Sequence, residues 1–188
     1  MPTRPDLFLI RHAPVVPTGL LAGRSDLDCV VPDGATVPSL PEGLRVVSSP
    51  ARRCVKTARA LFPGQTMDLD PGLWEQDFGV HDGKPLADLP DLGPLSGDDL
   101  AQHRWEGGES FADACARICA RLAHWGQVAR DTGPIALVCH AGTVRAGLSL
   151  ALGRPGPALS FEVAPLSVTR LTAWPGGWAV GFVNRIAP

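Results

Sequence analysis

Two short apolar runs in this chain each end in a histidine: Leu7-Phe8-Leu9-Ile10-Arg11-His12 and Ile135-Ala136-Leu137-Val138-Cys139-His140. Short continuous runs of Leu, Ile and Val, closed by turn or helix-start residues such as Ala13-Pro14 and Ala141-Gly142-Thr143, read as strands buried on both faces. Strands of that kind belong to a parallel sheet covered by helices. In open α/β sheets the carboxyl ends of the strands build the ligand crevice. Two histidines at two such ends predict one shared pocket.

Length and composition bound the rest. The 188 residues suffice for one sizeable core, and 1–188 reads as a single domain. The formal net charge is −2 and no long basic run occurs, so nucleic-acid binding has no electrostatic footprint. No apolar stretch reaches membrane-spanning length, and the opening Met1-Pro2-Thr3-Arg4-Pro5-Asp6 lacks a signal-peptide layout. The five cysteines, Cys29, Cys54, Cys115, Cys119 and Cys139, form no CxxC and no zinc-like array. Their odd number points to reduced thiols in the cytoplasm.

Further strands are expected at 44–47, 66–69, 135–139, 158–163, 167–173 and 178–183, the last two as a hairpin around Pro175-Gly176-Gly177. Ser49 and Pro50 read as the N-cap and first residue of a helix running to about Leu61. Ser110 and Asp113 form a capping box opening a long helix with an apolar stripe of Phe111, Cys115, Ile118, Cys119 and Leu122. An Asp113–Arg117 pair is expected on its other face, and the helix reads as scaffold. A helix is also expected at 143–152. Segment 83–108, rich in Pro, Gly and Asp, reads as a flap over a site or a surface excursion. Strand and helix alternate first and strands follow strands later. The fold class is therefore α/β, a mainly parallel central sheet with helices on both faces and an antiparallel edge.

The ends of the best strands carry Arg11-His12, Ser48-Ser49 before Arg52 and Arg53, and His140 before a helix N-terminus. Arginine forks match phosphate oxygens, and helix N-termini offer free N–H groups to anions. Histidines among arginines predict a phosphate site without metal or cofactor. A neutral imidazole can attack phosphorus, arginines stabilise the charge, and the leaving oxygen needs a proton from a carboxyl group. Glu75, set among Leu73, Trp74 and Phe78, is the candidate acid.

These residues resemble the motifs of the histidine phosphatase superfamily, also called phosphoglycerate mutase-like. Arg11-His12-Ala13 is similar to its Arg-His-Gly signature, and the segment from Ser48 to Ala58 to its second motif, with Arg53 in the phosphate-binding place. Leu73–Gly79 resembles the acid-bearing motif, Gly107-Gly108-Glu109-Ser110 a Gly-Glu-Ser element, and His140-Ala141-Gly142 the second histidine motif. The five come in family order and span nearly the whole chain.

The resemblance implies a phosphoglycerate mutase-like fold and a phosphoric monoester hydrolase. His12 would be the nucleophile and Glu75 the acid and then the base. Arg11, Arg53 and His140 would bind the phosphoryl oxygens, with Ala141, Thr18 and Arg24 as further substrate contacts. Ala13 and Ala141 stand where the family has glycine. Val80-His81-Asp82-Gly83 replaces a Trp-Glu-Gly-like stretch and reads as an exposed turn, with substrate contact by His81 or Asp82 as the alternative. Within the family, Ser-Ser-Pro-x-x-Arg-Cys and Trp-x-Gly-Gly-Glu-Ser-Phe look most like the α-ribazole-5′-phosphate phosphatases of cobalamin synthesis. The expected partner is a small phosphorylated metabolite. A broad-specificity phosphatase, a mutase-type enzyme and a non-catalytic phospho-ligand binder are the alternatives.

Overall fold

The computed structural model describes residues 4–187; Met1–Thr3, where the segment read as lacking a signal-peptide layout begins, and Pro188 lie outside the described residues. Among the described residues, eight strands and four α-helices follow one another as β1 (Asp6–Arg11), β2 (Val15–Val16), β3 (Asp28–Cys29), β4 (Arg45–Ser48), α1 (Arg52–Leu61), β5 (Met67–Leu69), α2 (Gly97–Gln102), α3 (Phe111–Thr132), β6 (Ile135–Cys139), α4 (Ala141–Leu152), β7 (Val168–Trp174) and β8 (Gly177–Arg185). Six of the strands form one sheet in the order β5-β4-β6-β1-β7-β8. The pairings from β5 to β1 are parallel, and β7 and β8 close the edge as an antiparallel hairpin.

The alternation of side chains along each strand divides the core in two. Leu7 and Leu9 of β1, with Ile135 and Leu137 of β6, pack with Ile118 and Leu122 of α3 and Leu148 of α4. Phe8, Ile10, Ala136 and Val138 face the other way, onto Cys54 and Ala58 of α1. Helices thus cover both faces. Leu7, Leu9, Ile10, Ile135 and Leu137 are fully buried, each contributing about 1.5–3 kcal/mol of transfer free energy.

The register positions the site. Leu9 pairs with Leu137 and Arg11 with Cys139, so His12 and His140 leave neighbouring strands at the same level. The His12 N–H still donates to the Cys139 carbonyl at 2.9 Å, which carries the pairing one residue further.

Three local expectations are corrected. Helix α1 begins at Arg52, with Ala51 in the N-cap place. The Ser49 hydroxyl is engaged 2.9 Å from His140 Nε2, and the Arg52 N–H donates instead to Asp26 Oδ1 at 2.7 Å. The capping box of α3 forms, but Asp113 pairs with Arg104 at 2.6 Å, and Arg117 turns to Glu109 at 2.8 Å. Residues 158–163 form no strand, and a 3₁₀ turn covers Gly156–Ser160. The carbonyls a neighbouring strand would need are taken by arginines, Arg145 on Phe161 and Arg11 on Val163. Segment 83–108 contains α2 and a 3₁₀ turn at Leu86–Asp88. Among the described residues, no helix is long and apolar enough to cross a membrane.

Candidate active site

His12 and His140 sit with ring centroids 5.3 Å apart, edge to face. His12 Nδ1 lies 2.7 Å from the Ala13 carbonyl. A carbonyl only accepts, so Nδ1 carries the proton and Nε2 keeps its lone pair. Burial pushes the His12 pKa down to about 3, and the nearby charges of Arg53 and Arg11 push the same way, against the Ala13 hydrogen bond. His140 is fully buried and its pKa is also held well below the ordinary imidazole value, first by desolvation and then by Arg53, His12 and Arg11. Both rings are therefore neutral near pH 7.

Arg11 and Arg53 flank the pair. Arg11 donates from Nη1 to the Val163 carbonyl, and its pKa is lowered by burial, with Glu75 opposing and Arg145 and Arg53 adding to the fall. Arg53 is fully buried, whereas Arg52 is exposed. Its terminal nitrogens donate to the carbonyls of Ser25 at 2.9 Å and Gly23 at 2.7 Å. The Nε atoms of both arginines are buried with no hydrogen-bond partner. Buried donors are normally paired, so each of these two leaves a hydrogen bond unmade within the protein.

Glu75 is buried beside the N-terminus of α4. Its Oε2 accepts from the Gly142 N–H at 3.0 Å and its Oε1 from the Gln76 N–H at 2.9 Å. The segment carrying it is clamped at both ends. Asp70 accepts from the Gly72 N–H, from Arg121 Nε and from Trp125 Nε1 just before it. Just after it, Glu109 accepts from the Asp77 N–H, and Arg117 donates to Glu109 and to the carbonyls of Gly72, Trp74 and Glu75. Helix α3 is thus more than scaffold, because Arg117 ties down the strip that holds the acid candidate.

A cavity of about 450 Å³ opens here, and its wall includes Arg11, His12, Glu75 and Ala141. Arg53 and His140, both fully buried, are not part of that wall. Thr18 and Arg24 are exposed and outside it; Arg24 sits 5.7 Å over the Trp74 ring. Segment 83–108 supplies Leu86, Leu92, Leu100, His103 and Trp105 to the wall. Ala13 and Ala141 have no left-handed backbone, so the methyl group each carries in place of hydrogen adds no backbone strain. Among the described residues, no group of three or more His, Cys, Asp or Glu side chains is placed to hold a metal ion.

Sequence reasoning missed several residues. Asp82 is no free turn: it accepts from the N–H groups of Gly23, Arg24 and Ser25 and from the Ser25 hydroxyl at 2.6 Å. It orders the loop whose carbonyls hold Arg53. Arg145, one turn along α4 from Ala141, lines the cavity near Arg11. Trp74 stacks nearly parallel to His140 with centroids 6.3 Å apart and has the Arg53 guanidinium 6.0 Å from its ring. The sequence hint for Asp82 was its place in the family's Trp-Glu-Gly-like stretch; for Trp74 and Arg145 no signal stood out.

Residues 41–186 match the profile of the histidine phosphatase superfamily, branch 1. The chain belongs to that superfamily. The matched span contains Arg53, Glu75 and His140, and Arg11 and His12 precede it. Membership in the histidine phosphatase superfamily makes the chain a phosphoric monoester hydrolase by class. A search of curated proteins returned no match.

Among solved structures, a mycobacterial glucosyl-3-phosphoglycerate phosphatase is similar at 23% identity and TM-score 0.75, covering 98% of this chain and 100% of that one. A proposed alpha-ribazole-5′-P phosphatase from Escherichia coli is similar at 18% identity and TM-score 0.75, with 97% and 98% covered. A phosphoserine phosphatase from Entamoeba histolytica, solved with phosphoserine, is similar at 18% identity and TM-score 0.73, with 95% and 96% covered. At these identities the likeness establishes the phosphoglycerate mutase-like fold.

Proposed function

We propose that this chain hydrolyses small phosphomonoesters through a phosphohistidine at His12. The observation that carries the reading is a neutral His12 with its Nε2 lone pair free, set in the wall of the cavity together with Arg11 and Glu75. In the first step Nε2 attacks phosphorus, the P–O bond to the alcohol breaks, and Glu75 in its acid form delivers its proton to the departing oxygen. Arg11, Arg53 and His140 stabilise the charge on the phosphoryl oxygens. In the second step Glu75 takes a proton from water, whose oxygen displaces His12 and releases inorganic phosphate. Positive side chains take the part that a metal ion plays in other phosphatases.

Ala141, Thr18 and Arg24 are assigned to substrate contact on the motif resemblance, with Thr18 and Arg24 reaching the ester only if segment 18–24 moves inward. Segment 83–108 acts as a flap, and 1–188 as one domain. The relatives named as phosphatases of glucosyl-3-phosphoglycerate, alpha-ribazole-5′-P and phosphoserine support a small phosphorylated metabolite as substrate. The motif resemblance favours α-ribazole 5′-phosphate, and with it a role in cobalamin synthesis. Five free thiols agree with the cytoplasm as the site of action.

Rapid quenching after brief incubation with a radiolabelled phosphomonoester tests the mechanism. The label is expected on His12 in an acid-labile, alkali-stable bond. His12→Ala is expected to abolish labelling and turnover, and His140→Ala to weaken both. Label on Ser48 or Ser49, or full activity in His12→Ala, would overturn it.

A further inference from the structure

We propose that the alcohol released from the ester is bulky and uncharged and carries a flat apolar ring with a hydrogen-bonding atom; this rests on the phosphatase reading above. The cavity, at about 450 Å³, falls in the range of sites that enclose a whole small molecule, and the residues at the strand ends occupy only part of its wall. The charged residues on that wall are Arg11, Glu75 and Arg145. Arg145 stands one turn along α4 from Ala141 and donates from Nε to the Phe161 carbonyl, so it lies with Arg11 and Glu75 at the strand-end side of the cavity. The rest of the wall, drawn mainly from residues 15–22 and from 78–105 with helix α2, holds no charged side chain. Its main members are Leu20, Phe78, Leu86, Leu92, Leu100 and Trp105. A carboxylate or second phosphate on the alcohol would be desolvated there with no cation to meet it.

Two details sharpen this. Leu86 and Leu100 are 52% and 41% exposed, so apolar surface at the cavity is left to water until a ligand covers it. Trp105 is flanked by the rings of His81 and His103, at 4.4 and 4.5 Å between centroids. On the same wall, His103 Nε2 is buried with no hydrogen-bond partner. A flat apolar ring carrying one polar atom would pack on Trp105 and satisfy His103.

The test is a series of n-alkyl phosphates from ethyl to hexyl, whose alcohols differ little in acidity, so that only apolar contact changes. Turnover measured as kcat/KM is expected to rise about fourfold per methylene. Calorimetry with the matching n-alkylphosphonates, which cannot be hydrolysed, is expected to show the same trend in Kd with a negative heat-capacity change. Leu100→Asp, at an exposed position that leaves the core intact, should flatten both trends. His103→Phe should lower kcat/KM about tenfold more with pyridylethyl phosphate than with hexyl phosphate, and an equal change with both would remove His103 from the ligand's hydrogen bond. Flat or falling trends, or phosphoserine and 3-phosphoglycerate outrunning hexyl phosphate, would overturn the proposal while leaving the phosphatase reading in place. Rising phosphonate affinity without hydrolysis of any ester would do the reverse.

Discussion

The Gly142 N–H donates to Glu75 Oε2 at 3.0 Å, and a Cβ built on Gly142 would lie 2.1 Å from Glu75 Oε1. The carboxyl group occupies the space that any larger residue at position 142 would fill. Gly142→Ala is therefore expected to push Glu75 out of place without unfolding α4, where alanine is a good helix former. Turnover of alkyl phosphates should fall roughly 10²-fold. With p-nitrophenyl phosphate, whose leaving oxygen hardly needs a proton, the loss should be within about tenfold. An equal loss with both esters would remove Glu75 from the role of acid.

Arg53 and Arg52 are neighbours with opposite environments, one fully buried beside the histidines and one exposed. Arg53→Ala is expected to lower kcat by roughly 10²–10³, the usual loss for one transition-state donor. Arg52→Ala should stay within about threefold, because only its backbone N–H holds Asp26. Steady-state kinetics on both variants decide the matter.

Asp82 acts on Arg53 through the loop between them. Asp82→Ala leaves the N–H groups of Gly23, Arg24 and Ser25 without their acceptor, and the loop carbonyls then hold Arg53 less firmly. Denaturant titration is expected to show a loss of about 2 kcal/mol, with a raised KM. Asp82→Asn keeps one acceptor oxygen and should fall between wild type and Asp82→Ala.

Acid should destabilise the fold through the buried histidines. His12 has an ordinary value of 6.5 and a folded value of about 3, so between these limits the unfolded chain binds the extra proton. Its contribution is fully present above pH 6.5 and is lost as pH falls toward 3. By pH 5 this amounts to about 2 kcal/mol for His12 alone, and His140 acts in the same direction. Melting temperatures from pH 7 to pH 5 should fall less steeply in His140→Gln than in wild type. Protonation of His12 should set no acid limb in the rate profile near the ordinary imidazole value.

The sequence alone determined the strands of the central sheet and the two histidine-bearing strand ends. Buried parallel strands need continuous apolar runs, and turns need glycine and proline, so β1, β6 and the β7–β8 hairpin were legible as local patterns. The capping box of α3 was legible for the same reason, because both partners lie within one turn. The placement of His12, His140 and Arg53 near one another followed from strand ends and motif order.

Tertiary structure alone decided what each polar group bonds to. Ser49 has the residue type and place of an N-cap but serves His140. Arg117 lies one turn from Asp113 and instead grips the strip that carries Glu75. Asp82, in a stretch that reads as an exposed turn or a substrate contact, orders the loop that holds Arg53. The stretch at 158–163 has strand-like residues but gives its carbonyls to Arg11 and Arg145. For Ser49 and Arg117 a local partner was on offer and a partner from another segment is engaged; for Asp82 and 158–163 the partners come from segments that only the folded chain brings near.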